Sequence, residues 1–189
     1  MISGRKLLTI VIVSAMVLML QLAVIAADKP AGNVLRLDCA GQIDIPQKDT
    51  VVGVTAFLSS EQNVGGFSLG FQYTGEGINV KEVTPTENLP KAGQFIVNVD
   101  SSNHTVLVGW VDFTGQMPIP KSSDLEVFTI NFGVPQGAKA QHVTIDSTFI
   151  EPAGHWVFSL KDGGSGKPAF INCEGAAITI GKPAATKEN

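Results

Sequence analysis

Apolar and polar residues alternate with a period of two along much of the chain after residue 27. The clearest example is FSLGFQY (Phe67–Tyr73), in which large apolar residues alternate with Ser68, Gly70 and Gln72. LEVFTINFGV (Leu125–Val134) alternates in the same way. This period is typical of strands with one buried face. No stretch after residue 27 keeps a helical spacing of apolar residues through three turns.

The same reasoning predicts several further strands. They are Val34–Asp38, Val51–Leu58, Ile78–Thr84, Gln94–Val99, Thr105–Phe113, His142–Ser147, His155–Leu160 and Ala169–Ile180. Residues that favour tight turns separate them, as at Thr74–Gly77, Asp100–Asn103 and Pro135–Gly137. About nine short strands in a chain of this length predict an all-β fold, a two-sheet β-sandwich of jelly-roll type.

The segment Thr105–Phe113 is apolar on both of its faces. One row consists of Val106, Val108 and Trp110, and the other of Leu107, Gly109, Val111 and Phe113. One row must face the core. The other row meets either a partner or a covering loop, for which Thr114–Ser123 is the candidate, because exposed apolar sheet surface is uncommon on isolated monomers.

The first 27 residues have the order of a secretory signal. Arg5 and Lys6 precede an almost wholly apolar stretch that ends in small residues before Asp28. We predict cleavage near Ala26 or Ala27 and secretion of the mature protein. The alternative is an uncleaved membrane anchor, since about 20 apolar residues also span a bilayer. Residues 28–180 then form one domain, and the polar tail 181–189 is predicted to be disordered.

Charge narrows the choice of partners. The chain has 13 basic and 17 acidic residues. Without Arg5 and Lys6, the mature protein has 11 basic and 17 acidic residues, a net charge of −6. The basic residues are scattered rather than clustered, which makes nucleic acid a poor partner candidate.

Two cysteines, Cys39 and Cys173, lie near opposite ends of the mature domain. An even number of cysteines in an oxidising compartment favours pairing, so we predict a Cys39–Cys173 disulfide. The alternative is two unpaired buried thiols.

The sequence contains no recognisable catalytic or metal-binding motif. Gly66–Gly70 matches the string G-x-S-x-G, but a nucleophile elbow requires a strand-to-helix turn and this string lies within a predicted strand. The three histidines lack the spacing of a zinc site, and no EF-hand loop is present. We therefore predict no catalytic residue, no metal site and no cofactor.

Several segments together resemble a cohesin domain. They are VVGV (Val51–Val54), NVGGFSLGFQY (Asn63–Tyr73), VGWV (Val108–Val111) and the strand Leu125–Val134, within a resemblance that spans Val34–Ile180. Cohesins are nine-stranded jelly-roll modules that capture dockerins in extracellular polysaccharide-degrading assemblies. Family 3 carbohydrate-binding modules share this architecture.

The resemblance implies non-catalytic recognition through one sheet face. The matching outward positions form the predicted partner-binding face: Gln72, Leu107, Val111 and Phe113. The implied partner is a dockerin or a similar calcium-loaded helical pair. The alternative is a carbohydrate-binding module, which needs exposed aromatic residues in a planar strip. Trp110, Trp156 and Tyr73 are the candidates besides the phenylalanines.

Overall fold

The structure of the protein is a computed structural model that describes residues 32–151, 157–162 and 165–181. The predicted signal segment, residues 182–189 of the predicted tail, and His155 and Trp156 lie outside the described residues. Within the described ranges, no helix is long and apolar enough to cross a membrane.

The described residues form thirteen strands in two sheets. They are β1 (Val34–Cys39), β2 (Gln42–Ile43), β3 (Thr50–Ser60), β4 (Val64–Tyr73), β5 (Asn79–Pro85), β6 (Gln94–Asp100), β7 (Thr105–Val111), β8 (Ser122–Val134), β9 (Gln141–Ser147), β10 (Val157–Asp162), β11 (Ser165–Phe170), β12 (Asn172–Glu174) and β13 (Ala176–Ile180). Sheet A has the order β12-β1-β3-β8-β5. Sheet B has the order β11-β10-β4-β9-β13-β2, and β7 and then β6 pair along the other side of β4.

The inward rows of the two sheets form one core, which confirms the predicted sandwich. Phe67 and Phe71 of sheet B each place their ring centroid 6.1 Å from that of Phe128 in sheet A. Tyr73 and Phe132 meet edge-to-face at 5.2 Å. Buried aromatic pairs in such geometries contribute beyond their buried area, by about 0.5–1.5 kcal/mol each.

Most predicted strands and turns are present. Gly137 in the turn after β8 has a φ of 67°, a conformation that glycine adopts without a steric penalty. The single strand predicted over Ala169–Ile180 is wrong. The chain there passes from sheet B (β11) to sheet A (β12) and back to sheet B (β13), so that one apolar segment is divided among three strands.

The predicted Cys39–Cys173 disulfide is also wrong, because both cysteines are free. Cys173 lies opposite Leu35 in the parallel β1–β12 pair, and Cys39 is four residues further along β1. Four strand residues span about 13 Å, whereas a disulfide requires Cα atoms within about 7 Å. The Cys39 thiol instead donates to the carbonyl of Ala177 at 3.2 Å.

Candidate functional site

Three adjacent strands of sheet B, β6, β7 and β4, share an outer surface, which we call the β6–β7–β4 face; residues 148–150 cover it at Gly70. Residues directly opposite each other in antiparallel strands point to the same side of the sheet. The registers therefore place four rows on this face: Gln94–Val111–Gly66, Ile96–Gly109–Ser68, Asn98–Leu107–Gly70 and Asp100–Thr105–Gln72.

The β6–β7–β4 face has an apolar centre and a polar margin. Ile96 is 44% exposed, and Leu107 and Val111 are half-buried. Gln94, Asn98 and Gln72 are exposed around them. Of the twelve positions in the four rows, only Asp100, at one end, carries a charge.

The opposite row of β7 faces the core. Val106 and Val108 are fully buried, and Trp110 is 1% exposed. The indole ring of Trp110 packs against Gly93, where no side chain would fit. Tyr73 is also buried, so neither Trp110 nor Tyr73 is available to stack on a sugar ring.

The three glycines of the face differ in whether a side chain would fit at their positions. At Gly66, a Cβ would lie 2.9 Å from the carbonyl oxygen of Trp110, and at Gly70 it would collide with the carbonyl oxygen of Thr148. At Gly109, a Cβ would make only ordinary contacts, 3.6 Å from the Phe67 carbonyl oxygen and 3.8 Å from the Ile96 Cβ. Gly66 and Gly70 are thus required by packing, whereas the outer side of Gly109 has room for a methyl group.

A tight turn fixes the register of β6 against β7. The Asp100 carboxylate accepts hydrogen bonds from the Ser102 hydroxyl, the Ser102 amide at 3.0 Å and the Asn103 side-chain amide at 2.7 Å. The bonds from the Ser102 and Asn103 side chains, with those from their backbone amides, lower the pKa of Asp100 to about 2. The turn ends at His104, whose φ is 53°.

A second anchored turn follows β7 and carries Phe113. The Asp112 carboxylate is buried and accepts hydrogen bonds from the Thr114 hydroxyl at 2.6 Å and the amides of Thr114, Gly115 and Met117 at 2.8–3.0 Å. The Thr114 hydroxyl lowers the pKa of Asp112, burial partly opposes the shift, and the backbone amides reinforce it. Phe113, 75% exposed, and Met117, 56% exposed, therefore project from a held turn.

The loop that could have covered the outer row of β7 pairs instead with the start of β4, beyond the end of β7. Ile119 exchanges two backbone hydrogen bonds with Val64, at 2.8 and 2.9 Å, and its side chain is fully buried. Residues 112–119 are therefore tied at both ends beside the start of β4.

The outer surface of sheet A differs chemically from the β6–β7–β4 face. Arg36 donates to both carboxylate oxygens of Asp124 at 2.9 and 3.0 Å and to Asp38 at 3.0 Å. Its guanidinium also lies 4.4 Å from the centroid of the Phe57 ring. Thr55 and Thr129 are hydrogen-bonded at 3.4 Å on the same surface. The charges of Arg36, Asp38 and Asp124 are therefore already paired within the chain.

The structure brings three of the four predicted site residues onto one face. Leu107 lies opposite Gly70, Gln72 opposite Thr105, and Val111 opposite Gly66. Phe113 lies beyond the end of β7, because the strand stops at Val111 and Asp112 turns the chain. Ile96 was not among the predicted site residues. The predicted turn over Asp100–Asn103 could have indicated it. A tight turn there pairs β6 with β7 and places Ile96 opposite Gly109.

The described residues suggest no catalytic or metal centre. Gly66–Gly70 lies within β4 and not at a strand-to-helix turn. Within the described ranges, no three His, Cys, Asp or Glu residues come together in a way that could hold a metal ion.

Comparison with solved structures identifies the fold as that of cohesin modules. The chain is similar to the seventh ScaB type I cohesin of Pseudobacteroides cellulosolvens, with a TM-score of 0.61 and 12% identity over 82% of this chain and 97% of that one. It is also similar to the sixth cohesin of Acetivibrio cellulolyticus scaffoldin B, solved with a mutant Cel5 dockerin, with a TM-score of 0.61 and 16% identity over 79% of this chain and 99% of that one.

A third similar structure is the cohesin module of a family 33 glycoside hydrolase from Clostridium perfringens. Its TM-score is 0.58, with 10% identity over 79% of this chain and 97% of that one. The fold is thus shared across nearly the whole length of each module, at low sequence identity. No protein-family profile matches the sequence, and no curated protein matches it.

Proposed function

We propose that this cohesin-like sandwich is a non-catalytic module that binds a dockerin-type protein through the β6–β7–β4 face. The observation that carries the proposal is the composition of this face, an uncharged apolar centre with a polar margin on the outside of sheet B. Interfaces that bind proteins have this arrangement, with most of the binding energy in the desolvated centre.

The shape of the face supports a protein partner. Gly109 keeps its middle low, while Ile96, Leu107 and Val111 provide the apolar contacts. A helix that lies across β6, β7 and β4 would meet apolar side chains at successive rows. Phe113, at the Val111 end, would extend the contact beyond the sheet.

The proposed setting is extracellular, in an assembly that degrades polysaccharides. The secretory pattern of residues 1–27 supports export. The similar structures also support this setting, since they include a cohesin of a scaffoldin and a cohesin from a glycoside hydrolase.

Isothermal titration of the purified protein with a panel of dockerins, including those of its own source, tests the proposal. The partner is a calcium-loaded helical pair, so binding is expected in calcium and not in excess chelator. Leu107→Asp is expected to weaken binding about 100-fold or more, because a charge would be desolvated at the centre of the interface. Leu107 is only half-buried, so the variant should fold.

Val51→Asp is the matched control. Val51 is 59% exposed and lies on the outer face of sheet A, so the same charge there should leave the affinity unchanged. If no dockerin binds, or if the two variants behave alike, the proposal is wrong. Retention of the protein on an insoluble polysaccharide, with no dockerin binding, would favour the carbohydrate-binding alternative.

A further inference from the structure

Strand β6 is an edge strand of sheet B. All seven of its residues pair with β7, from Gln94 opposite Val111 to Asp100 opposite Thr105. In the part of the chain that the structure describes, no strand pairs with the other side of β6, and residues 94–100 make no backbone hydrogen bond outside the β6–β7 ladder. Half of the backbone donors and acceptors of β6 thus face outward.

This edge lacks the features that usually prevent strand addition. Edge strands are commonly short, bulged, or interrupted by lysine or proline. β6 (QFIVNVD) has seven residues in unbroken register, no basic residue and no proline. Its one charge, on Asp100, is at its end, and that carboxylate already accepts hydrogen bonds from Ser102 and Asn103.

The inward row of β6 is also only partly covered. Val97 and Val99 are 37% and 36% exposed, although they lie opposite Val108 and Val106, which are fully buried. The uncovered area is therefore at the edge of the sheet. A strand added alongside β6 would bury these valines and extend the core.

We infer that the β6 edge pairs with the β6 edge of a second copy of this chain, antiparallel and about a two-fold axis at Val97. This register pairs all seven residues, and any other symmetric register leaves some of them unpaired. Phe95 then lies opposite Val99 of the second copy, an aromatic–β-branched pair that stabilises sheets. Asp100 lies opposite Gln94, so that no two like charges meet.

The inferred dimer is independent of the proposed dockerin binding, because it uses the strand edge and not the outer surface. Directly opposite residues in an antiparallel pair lie on one side of the sheet, so the two β6–β7–β4 faces would point the same way. One dimer would present two partner-binding faces side by side.

Analytical ultracentrifugation of the purified protein tests the inference without any dockerin. An interface of one strand pair is smaller than the standard size of a stable complex, so dimers are expected only at high concentration, up to about 1 mM. Val97→Lys would place two like charges opposite each other at the axis and should give a monomer. Val51→Lys, the matched control on sheet A, should dimerise like the unsubstituted protein.

Crosslinking gives a second, independent readout. Opposite residues in such a pair have Cβ atoms about 4.5–5.5 Å apart, so Val97→Cys should form a covalent dimer with a short bismaleimide, and Val51→Cys should not. A monomer at every concentration, or a dimer that Val97→Lys leaves intact, would overturn the inference. If Val97→Lys fails to fold, the two cysteine variants test the inference instead. Equal crosslinking of Val97→Cys and Val51→Cys would also overturn the inference.

Discussion

Ile96 on β6 lies directly opposite Gly109 on β7, and a Cβ at Gly109 would be 3.8 Å from the Cβ of Ile96. Gly109 therefore leaves the side of Ile96 uncovered, which accounts for part of its 44% exposure. The Ile96 side chain therefore projects from the β6–β7–β4 face, and the surface beside it at Gly109 is low. The two residues are held in this register by the Asp100 turn.

The glycines of the face predict opposite effects of the same substitution. Gly109→Ala should raise the free energy of unfolding by up to about 1 kcal/mol, since alanine is favoured over glycine within a strand and the new methyl group meets only ordinary contacts. Gly70→Ala should lower it by about 1–3 kcal/mol, because the methyl group would collide with the Thr148 carbonyl oxygen. Urea denaturation of both variants checks the pair; equal effects would contradict the packing described for the face.

The Asp100 turn predicts a pH dependence. The folded pKa of Asp100 is about 2, below its ordinary value of 3.8. The contribution of this carboxylate to stability is therefore complete above pH 3.8 and is lost as the pH falls through about 2. NMR titration of residues 100–104 should show a midpoint near pH 2. Asp100→Asn should remove that step, and a midpoint near 3.8 would contradict the hydrogen bonds described.

The cysteines predict a particular reactivity. Unreduced protein should contain two alkylatable thiols, and reductant should not change the unfolding midpoint, because both residues are free and Cys39 lies four residues along β1 from Leu35, the residue opposite Cys173. Burial, together with the nearby charge of Asp146, raises the pKa of Cys173 to about 12. Alkylation of Cys173 at neutral pH should therefore be much slower in the native protein than in urea. Mass spectrometry of native protein without free thiols would contradict this.

The Asp112 carboxylate predicts local order around Phe113. Asp112→Ala removes the acceptor of hydrogen bonds from Thr114, Gly115 and Met117. The amides of residues 114–117 should then exchange with deuterium faster, while those in β3 and β8 keep their protection. Glu87→Ala, a change at an exposed acid, is the control and should alter neither region. Unchanged exchange in Asp112→Ala would mean that other contacts hold the turn.

Alternation in the sequence was enough to predict most of the strands, but it did not decide which side of β7 faces the core. Both rows of Thr105–Phe113 are apolar, and the outward assignment of Leu107 and Val111 came from the resemblance to cohesins; the structure buries the row of Trp110. The turn residues Asp100–Asn103 and Pro135–Gly137 marked strand ends correctly, because side-chain hydrogen bonding and positive φ are local properties.

Properties that depend on pairing between distant strands could not be predicted in the same way. The distance between Cys39 and Cys173 follows from the parallel β1–β12 register, which no local pattern encodes. The passage of residues 169–180 from sheet B to sheet A and back has the same origin, since a continuous apolar segment fits one strand as well as three. Ile96 was missed because its position on the face depends on its pairing with Gly109.

Hydroxyl-radical footprinting of the calcium-loaded dockerin complex tests the central claim most directly. Mass spectrometry would compare oxidation of individual side chains in the free protein and in the complex. We predict reduced oxidation of Ile96, Leu107 and Phe113, with unchanged oxidation of Val51 on sheet A. Protection of Val51, with Ile96 and Leu107 oxidised as in the free protein, would contradict the assignment of the β6–β7–β4 face as the binding surface.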